Sequence, residues 1–290
     1  MFSKLFVAIV GLLPQWLIKR IGMIQAKSPA LHNFVVGCRR LVQTQDLTIQ
    51  QGLGAGLKFQ PGESNFGYVT GTSEPDTQNT MKARIKPGDC FWDIGCNVGF
   101  LTVIGARLVG DKGQVYSFDP VPRHAELARH NAESNGLSQV KVFQKALSSA
   151  NGTVKFAVAA IPAQSTLTAD GFSREGATVI EVETVTVDGL IRDQGLRPPT
   201  VVKIDVEGAE IDVLRGMTKT LADHRPIILL DTHGTHIECA ALLTEAGYFC
   251  STTADPDKQL EPSQYFCQLL AVPCAQHAAE HGAAGSVHAA

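Results

Sequence analysis

The sequence predicts an α/β chain organised on a doubly wound, mostly parallel sheet with an antiparallel edge strand. Three observations carry that expectation. Residues 90–102 (C-F-W-D-I-G-C-N-V-G-F-L-T) run from a short apolar strand through a glycine turn onto apolar residues at helical spacing, Phe100, Val103, Ile104 and Leu108. That is the opening of a nucleotide-binding βαβ unit. Strand-like and helix-like segments then alternate along most of the chain. Finally, Asp93, Asp119, Asp205 and Asp231 each fall at a predicted strand end. Ligands of such sheets bind beyond the carboxyl ends of the strands, where strand order reverses, so these carboxylates are expected on one rim.

Taken in order, residues 5–18 are uncharged and largely apolar, between Lys4 and Lys19-Arg20. About 14 residues interrupted by Pro14 fall short of the roughly 20 that span a bilayer, and no small-x-small cleavage site follows in good position. Two readings stay open: a helix packed against the domain, or an interfacial helix giving weak membrane-surface contact through residues 1–20. Residues 32–57 begin helix-like and turn irregular. Residues 59–76 hold many turn formers and aromatics, too polar for a core and too patterned for a linker. They read either as a lid with Gly71 and Glu74 near the ligand, or as a surface meander. A helix over 77–85 feeds the first strand.

After the strand 114–118 and Asp119, a helix is expected over 122–135 and a third strand over 140–147, whose end places Ala146 beside a bound adenine. Asn151-Gly152 is a hairpin signal answered by a strand over 153–158. Residues 162–176 form a polar loop placed where specificity-determining insertions occur. A β-branched strand follows over 178–187, then a short helix over 188–193. The strand 200–206 leads into a helix opened by Glu207, the strand 226–230 into Asp231-Thr232-His233, and a helix over 235–246 precedes two antiparallel strands. The expected organisation is an N-terminal extension and lid (1–73), a catalytic domain (74–275) and a disordered tail (276–290).

The 290-residue chain is long enough for one substantial core. Its net charge of −3 and the lack of basic clusters argue against nucleic acid. Seven scattered cysteines, mostly in apolar runs, read as reduced core residues of a cytoplasmic protein.

Within the glycine turn, Asn97 stands where a dinucleotide fingerprint has its second glycine, and Asp93 precedes the turn. A carboxylate there repels a pyrophosphate but suits the ammonium of S-adenosylmethionine (SAM). Asp119 is positioned to accept both ribose hydroxyls.

The chain resembles the FkbM family of SAM-dependent methyltransferases. The resemblance rests on P-G-D-C-F-W-D-I-G-C-N-V-G-F-L-T (87–102), F-D-P (118–120) and H-N-A-E-S-N-G-L (130–137). It rests equally on E-T-V-T-V-D-G-L (183–190), V-K-I-D-V-E-G-A-E (202–210) and L-L-D-T-H (229–233). It covers about 74–272 but neither the first 70 residues nor the tail; Asp119 and Asp231 stand where glutamate is common. The resemblance implies a class I methyltransferase Rossmann-like fold and SAM held by Glu74, Asp93, Gly95, Asn97, Gly99, Asp119, Ala146 and Asp205. It also implies transfer of methyl to a hydroxyl of a sugar, glycolipid, polysaccharide or polyketide-type molecule.

A base near the acceptor would assist. The candidates are His233, Asp205 and Glu207, with positioning alone as the alternative. Glu207 reads equally as a helix N-terminal carboxylate. Whether a metal takes part is left open: Asp205, Asp231 and Glu207 offer hard oxygen ligands, and His233, His236 and Cys239 a loose zinc-like spacing. An NAD-dependent reductase on the same fold is the rival enzyme class, opposed by Asn97 and Asp93. A non-catalytic SAM-binding protein is the other rival, opposed by the intact acidic rim.

Overall fold

The computed structural model describes residues 37, 43–65, 67–158, 166–167, 178–261 and 267–282. Residues 1–20 and most of the 162–176 loop lie outside them. Among the described residues no helix is long and apolar enough to cross a membrane.

The described chain opens with a two-stranded antiparallel ribbon, β1 (Leu47–Thr48) and β2 (Lys58–Phe59), then helices α1 (Gly67–Thr70) and α2 (Pro75–Arg84). The first half of the main sheet follows: β3 (Cys90–Ile94), α3 (Phe100–Val109), β4 (Gln114–Phe118), α4 (Pro122–Glu133) and β5 (Val140–Phe143). Next come the strands of a smaller sheet, β6 (Ala146–Leu147), β7 (Gly152–Val158), β8 (Thr166–Leu167) and β9 (Thr178–Val185), and helix α5 (Val187–Gln194). The second half begins with β10 (Val201–Ile204) and α6 (Glu210–Arg215), passes a π-helical turn at Thr220–His224, and continues with β11 (Ile227–Asp231) and α7 (His236–Glu245). It ends with β12 (Tyr248–Thr252), β13 (Gln268–Pro273) and α8 (Cys274–Gly282).

The main sheet has seven strands in the order β12-β13-β11-β10-β3-β4-β5. The five from β11 to β5 are parallel, and β13 runs antiparallel to both of its neighbours. Strand order reverses between β3 and β10, which defines the crevice for a ligand. Side chains explain why the sheet is buried on both faces. Phe91, Val115, Val201, Leu229 and Leu270 enter one hydrophobic cluster, while their chain neighbours Trp92, Tyr116, Val202, Leu230 and Leu269 enter the other. This period of two, with apolar residues at both phases, is the pattern of a strand covered by helices on each side. Burying each large side chain contributes about 1.5–3 kcal/mol.

The ribbon corrects one expectation. Phe59, at the head of the segment judged too polar for a core, is fully buried. It meets Tyr68 and Phe100 edge-on at 6.1 and 5.9 Å, and Tyr68 stacks on Phe100 at 4.6 Å. Asn131 on α4 ties the ribbon down, accepting from the Gln60 N–H and donating to the carbonyls of Gln60 and Val98.

Four further expectations change. The third strand breaks after Phe143: Val140–Phe143 completes the main sheet, and Ala146–Leu147 joins the smaller one. Asn151-Gly152 closes no hairpin with β6, because β9 lies between β6 and β7. The Asn151 Oδ1 instead accepts the Thr186 N–H at 2.9 Å. Glu207 does not open α6, which begins at Glu210 with Ala209 as its cap. The tail carries α8 where no structure was expected, held by stacking of His277 on Phe249 and an ion pair from Glu280 to Arg84.

Candidate active site

One pocket opens at the carboxyl ends of β3, β4 and β10, and Glu74, Asp93, Gly95, Asn97, Asp119, Ala146, Asp205 and Glu207 all line it. The turn after β3 is built by hydrogen bonds that cross to β4: the N–H groups of Gly95 and Cys96 both donate to the Phe118 carbonyl, at 2.8 and 3.0 Å. Gly95 has φ +84°, and a Cβ there would lie 1.8 Å from the Asp205 carbonyl oxygen. Only glycine fits, and the two halves of the rim touch at this point. Asn97 has φ +50°, a left-handed position that asparagine tolerates. Its Oδ1 accepts from the Ser64 hydroxyl at 2.9 Å.

Asp119 is held as firmly. Its Oδ2 accepts the Asn97 N–H at 2.9 Å, while its Oδ1 accepts the Val121 N–H at 2.9 Å and faces His124 Nδ1 at 3.2 Å. Asp93 is buried, with its Oδ2 accepting from the Thr102 hydroxyl at 2.6 Å. Burial pushes its pKa up to about 6, against the opposing pull of the Thr102 hydrogen bond and the Lys203 charge.

Gly99 does not line the pocket. It starts α3 at φ +82°, and a Cβ there would press on Ala128 at 3.0 Å, so its role is helix–helix packing. Gly71 also lies away from the pocket. Glu74 does face it, from the N-terminal end of α2, in a left-handed conformation at φ +50°. Its Oε2 is cut off from solvent and has no hydrogen-bond partner. Burial pushes its pKa up to about 7, reinforced by the charges of Asp231, Asp205 and Asp93 and opposed by Lys203.

Lys203 was missed in the sequence. It is almost completely buried on β10, opposite Asp93 in register. Its Nζ lies 2.7 Å from Asp231 Oδ2 and 3.7 Å from Asp205 Oδ2. Burial disfavours the ammonium, but Asp205, Asp231 and Glu74 outweigh it and keep the group charged. A signal existed: a lone lysine inside V-V-K-I-D is a cation in an otherwise apolar strand, and such a charge needs buried counter-ions.

Beside this pocket a second cleft is lined by Asp205, Glu207, Asp231, Thr232 and His233. The His233 Nδ1 lies 2.8 Å from Glu210 Oε1. Glu210 is fully buried and also accepts from the Gly208 N–H and the Thr235 hydroxyl, each at 2.8 Å. The hydrogen bond to Glu210 pushes the His233 pKa up to about 9; burial opposes this, and Asp205 and Glu207 support it. Both ring nitrogens of His233 therefore face carboxylates, Nδ1 towards Glu210 and Nε2 towards Asp205 and Glu207.

Possible metal ligands are also regrouped. Among the described residues the one cluster with metal-binding spacing is Asp205, Glu207 and His233, their donor atoms within 4.8 Å of one another. Asp231 is turned to Lys203 instead, and Cys239 of the zinc-like spacing is buried in the hydrophobic core.

A mostly parallel sheet in this strand order with an antiparallel edge, and with a glycine turn and an acidic rim at its switch point, defines the class I methyltransferase Rossmann-like fold. The chain belongs to the methyltransferase FkbM domain family, whose domain matches residues 93–250. The hexuronic acid methyltransferase AglP of Haloferax volcanii is 31% identical over 148 residues, covering 51% of this chain and 58% of that protein. The chain thus spans little more than half the length of that relative. The 2-O-methyltransferase NoeI of Sinorhizobium fredii is 29% identical over 195 residues, covering 61% of this chain and 77% of its own. Among solved structures, the methyltransferase FkbM of Methylobacillus flagellatus aligns with a TM-score of 0.43 at 15% identity, over 71% of this chain and 53% of that one.

Proposed function

We propose that this chain transfers a methyl group from SAM to a hydroxyl of a saccharide-type small molecule. The observation that carries this reading is a single pocket that joins the glycine turn, five carboxylates and an apolar wall of Phe118, Ala146 and Leu147. The donor set fits the group. Glu74 brings an unpartnered carboxylate oxygen for an ammonium, with Asp93, Gly95 and Asn97 beside it. Asp119 suits the ribose, and the apolar wall suits the adenine. When bound, SAM supplies a methyl on a sulfonium, a good leaving group, so positioning of the acceptor accounts for much of the rate.

Asp205 and Glu207 border both the pocket and the outer cleft, where they would accept hydrogen bonds from an acceptor hydroxyl and aim it inward. Lys203 holds Asp205 at that boundary. The names of the relatives, a hexuronic acid methyltransferase and a 2-O-methyltransferase, support a sugar-type acceptor. The net charge of −3 supports a small molecule over a nucleic acid. A cytoplasmic location, and any membrane contact through residues 1–20, belong to the same proposal.

Calorimetry with S-adenosylhomocysteine (SAH) and NADH, followed by transfer of labelled methyl from SAM to a panel of sugars and uronic acids, tests the reading. SAH binding with label appearing in a saccharide is the expected result. Binding of NADH alone, or SAH binding with no transfer to any hydroxylated acceptor, overturns it.

A further inference from the structure

The outer cleft holds an arrangement that methyl-donor binding leaves unexplained. Glu210 accepts from the Gly208 N–H and the Thr235 hydroxyl, so its carboxylate is an acceptor, and the proton of the 2.8 Å contact to His233 belongs on Nδ1. The other ring nitrogen, Nε2, then points at two carboxylates: Asp205 Oδ1 at 3.7 Å and Glu207 Oε2 at 3.6 Å. A lone pair facing two anions is repelled by both. An N–H at Nε2 would find neither oxygen within hydrogen-bonding distance.

The gap has the dimensions of an ion. Donors about 2.1 Å from one cation stand roughly 3 Å apart when adjacent and about 4.2 Å apart when opposite, and the His233 Nε2 stands 3.7 and 3.6 Å from the two carboxylate oxygens. The buried carboxylate behind the histidine is the partner that fixes the tautomer and ring angle of metal-ligating imidazoles. Lys203 sharpens the set by engaging Asp231 Oδ2 and facing Asp205 Oδ2, which leaves Asp205 Oδ1 turned to the histidine.

From this geometry we infer that Asp205, Glu207 and His233 bind a divalent cation, with Glu210 as the positioning residue behind His233. One imidazole with two carboxylates suits a first-row divalent ion, for which Mn²⁺ serves as the probe, better than Mg²⁺, which is held through oxygen. Two of the ligands also line the donor pocket, so the ion would present its remaining coordination positions to the acceptor side. The acceptor class follows from this and rests on the function proposed above: molecules offering two neighbouring oxygens, a vicinal diol or a hydroxy acid, which chelate the ion and bring one hydroxyl to the methyl donor.

The test is chelator-stripped full-length protein titrated with Mn²⁺, read by loss of the free-ion electron paramagnetic resonance signal, with SAH affinity measured separately by calorimetry. The expected result is one Mn²⁺ per chain. Affinity should fall at least tenfold in Glu207→Gln and His233→Ala, and about 10–100-fold in Glu210→Gln, which leaves the ligands in place but loosens the ring. Circular dichroism melts confirm that each variant is folded, and Glu207→Gln carries the test should the buried Glu210 variant fail to fold. SAH binding without Mn²⁺ binding, or Mn²⁺ binding unchanged in both Glu207→Gln and His233→Ala, overturns the ion site and spares the methyltransferase reading. Mn²⁺ binding lost in the variants while SAH never binds supports the ion site and overturns the methyltransferase reading instead.

Discussion

The two sides of the rim are built by opposite rules. On the side of β3 and β4, the Asp119 oxygens each accept a backbone N–H, Asp93 is engaged by Thr102, and Asn97 is pinned by Ser64. On the side of β10 and β11, the His233 Nε2 stands 3.7 Å from Asp205 Oδ1 and 3.6 Å from Glu207 Oε2 across a gap. On the first side these side chains are engaged by the protein itself. The second is held open by elements outside it: Lys203 on one flank and Glu210 on the other.

The largest expected effect comes from breaking the flank that keeps the second side apart. Lys203 is a buried cation with Asp231 at 2.7 Å and Asp205 at 3.7 Å, and removing one member of such a group strands the others. Lys203→Met should cost about 3–5 kcal/mol, read by urea denaturation. Adding Asp231→Leu to it should recover a large part of that loss, because the stranded carboxylate is then gone. A single-variant loss below about 1 kcal/mol would show that the buried network does not hold this side of the rim together.

What could be read from the chain alone follows the same division. The strand–turn–helix at 90–102 is local: Gly95, Asn97 and the apolar spacing of α3 act within a dozen residues, so the turn and its carboxylates were legible. The order of the sheet was legible in outline because parallel strands need long crossovers. The arrangement of the second side depends on partners distant in sequence. Lys203 meets Asp231 28 residues away, and Glu210 meets His233 23 residues away. Asn151-Gly152 misled for a related reason: the asparagine that signals a turn is used in a long-range bond to Thr186. The helix α8 is tied down by Phe249 and Arg84 from elsewhere in the fold.

A smaller effect should come from loosening the first side. Asp119→Asn keeps the size of the side chain but replaces one accepting oxygen with an NH₂, which faces either the Asn97 or the Val121 N–H donor-to-donor. The loss of one such bond is expected to cost about 1–2 kcal/mol in stability and to weaken SAH binding about tenfold. Thermal unfolding with and without SAH measures both quantities. Unchanged affinity together with reduced stability would make Asp119 a brace for the turn with no part in holding the ribose.

The smallest expected effect is a pH dependence that separates the empty pocket from the filled one. Asp93 and Glu74 have folded pKa values pushed up to about 6 and about 7, from ordinary values of 3.8 and 4.5, mainly by burial. Asp205 raises both values further, with Asp119 adding to it at Asp93 and Asp231 at Glu74, and Lys203 opposes at both. In this range the folded chain binds more protons than the unfolded one, so the two groups stabilise the empty protein most below about pH 4. That contribution is lost as pH rises to about 7. A bound ammonium favours the ionised carboxylates and reverses the sign: SAH affinity should rise severalfold between pH 5.5 and 7.5 as these groups release their protons. In Glu74→Gln the upper part of that rise should disappear while the part due to Asp93 remains. Calorimetric titration of SAH across this range distinguishes the outcomes, and affinity that is flat from pH 5.5 to 7.5 in the unaltered protein would place the donor's ammonium away from both carboxylates.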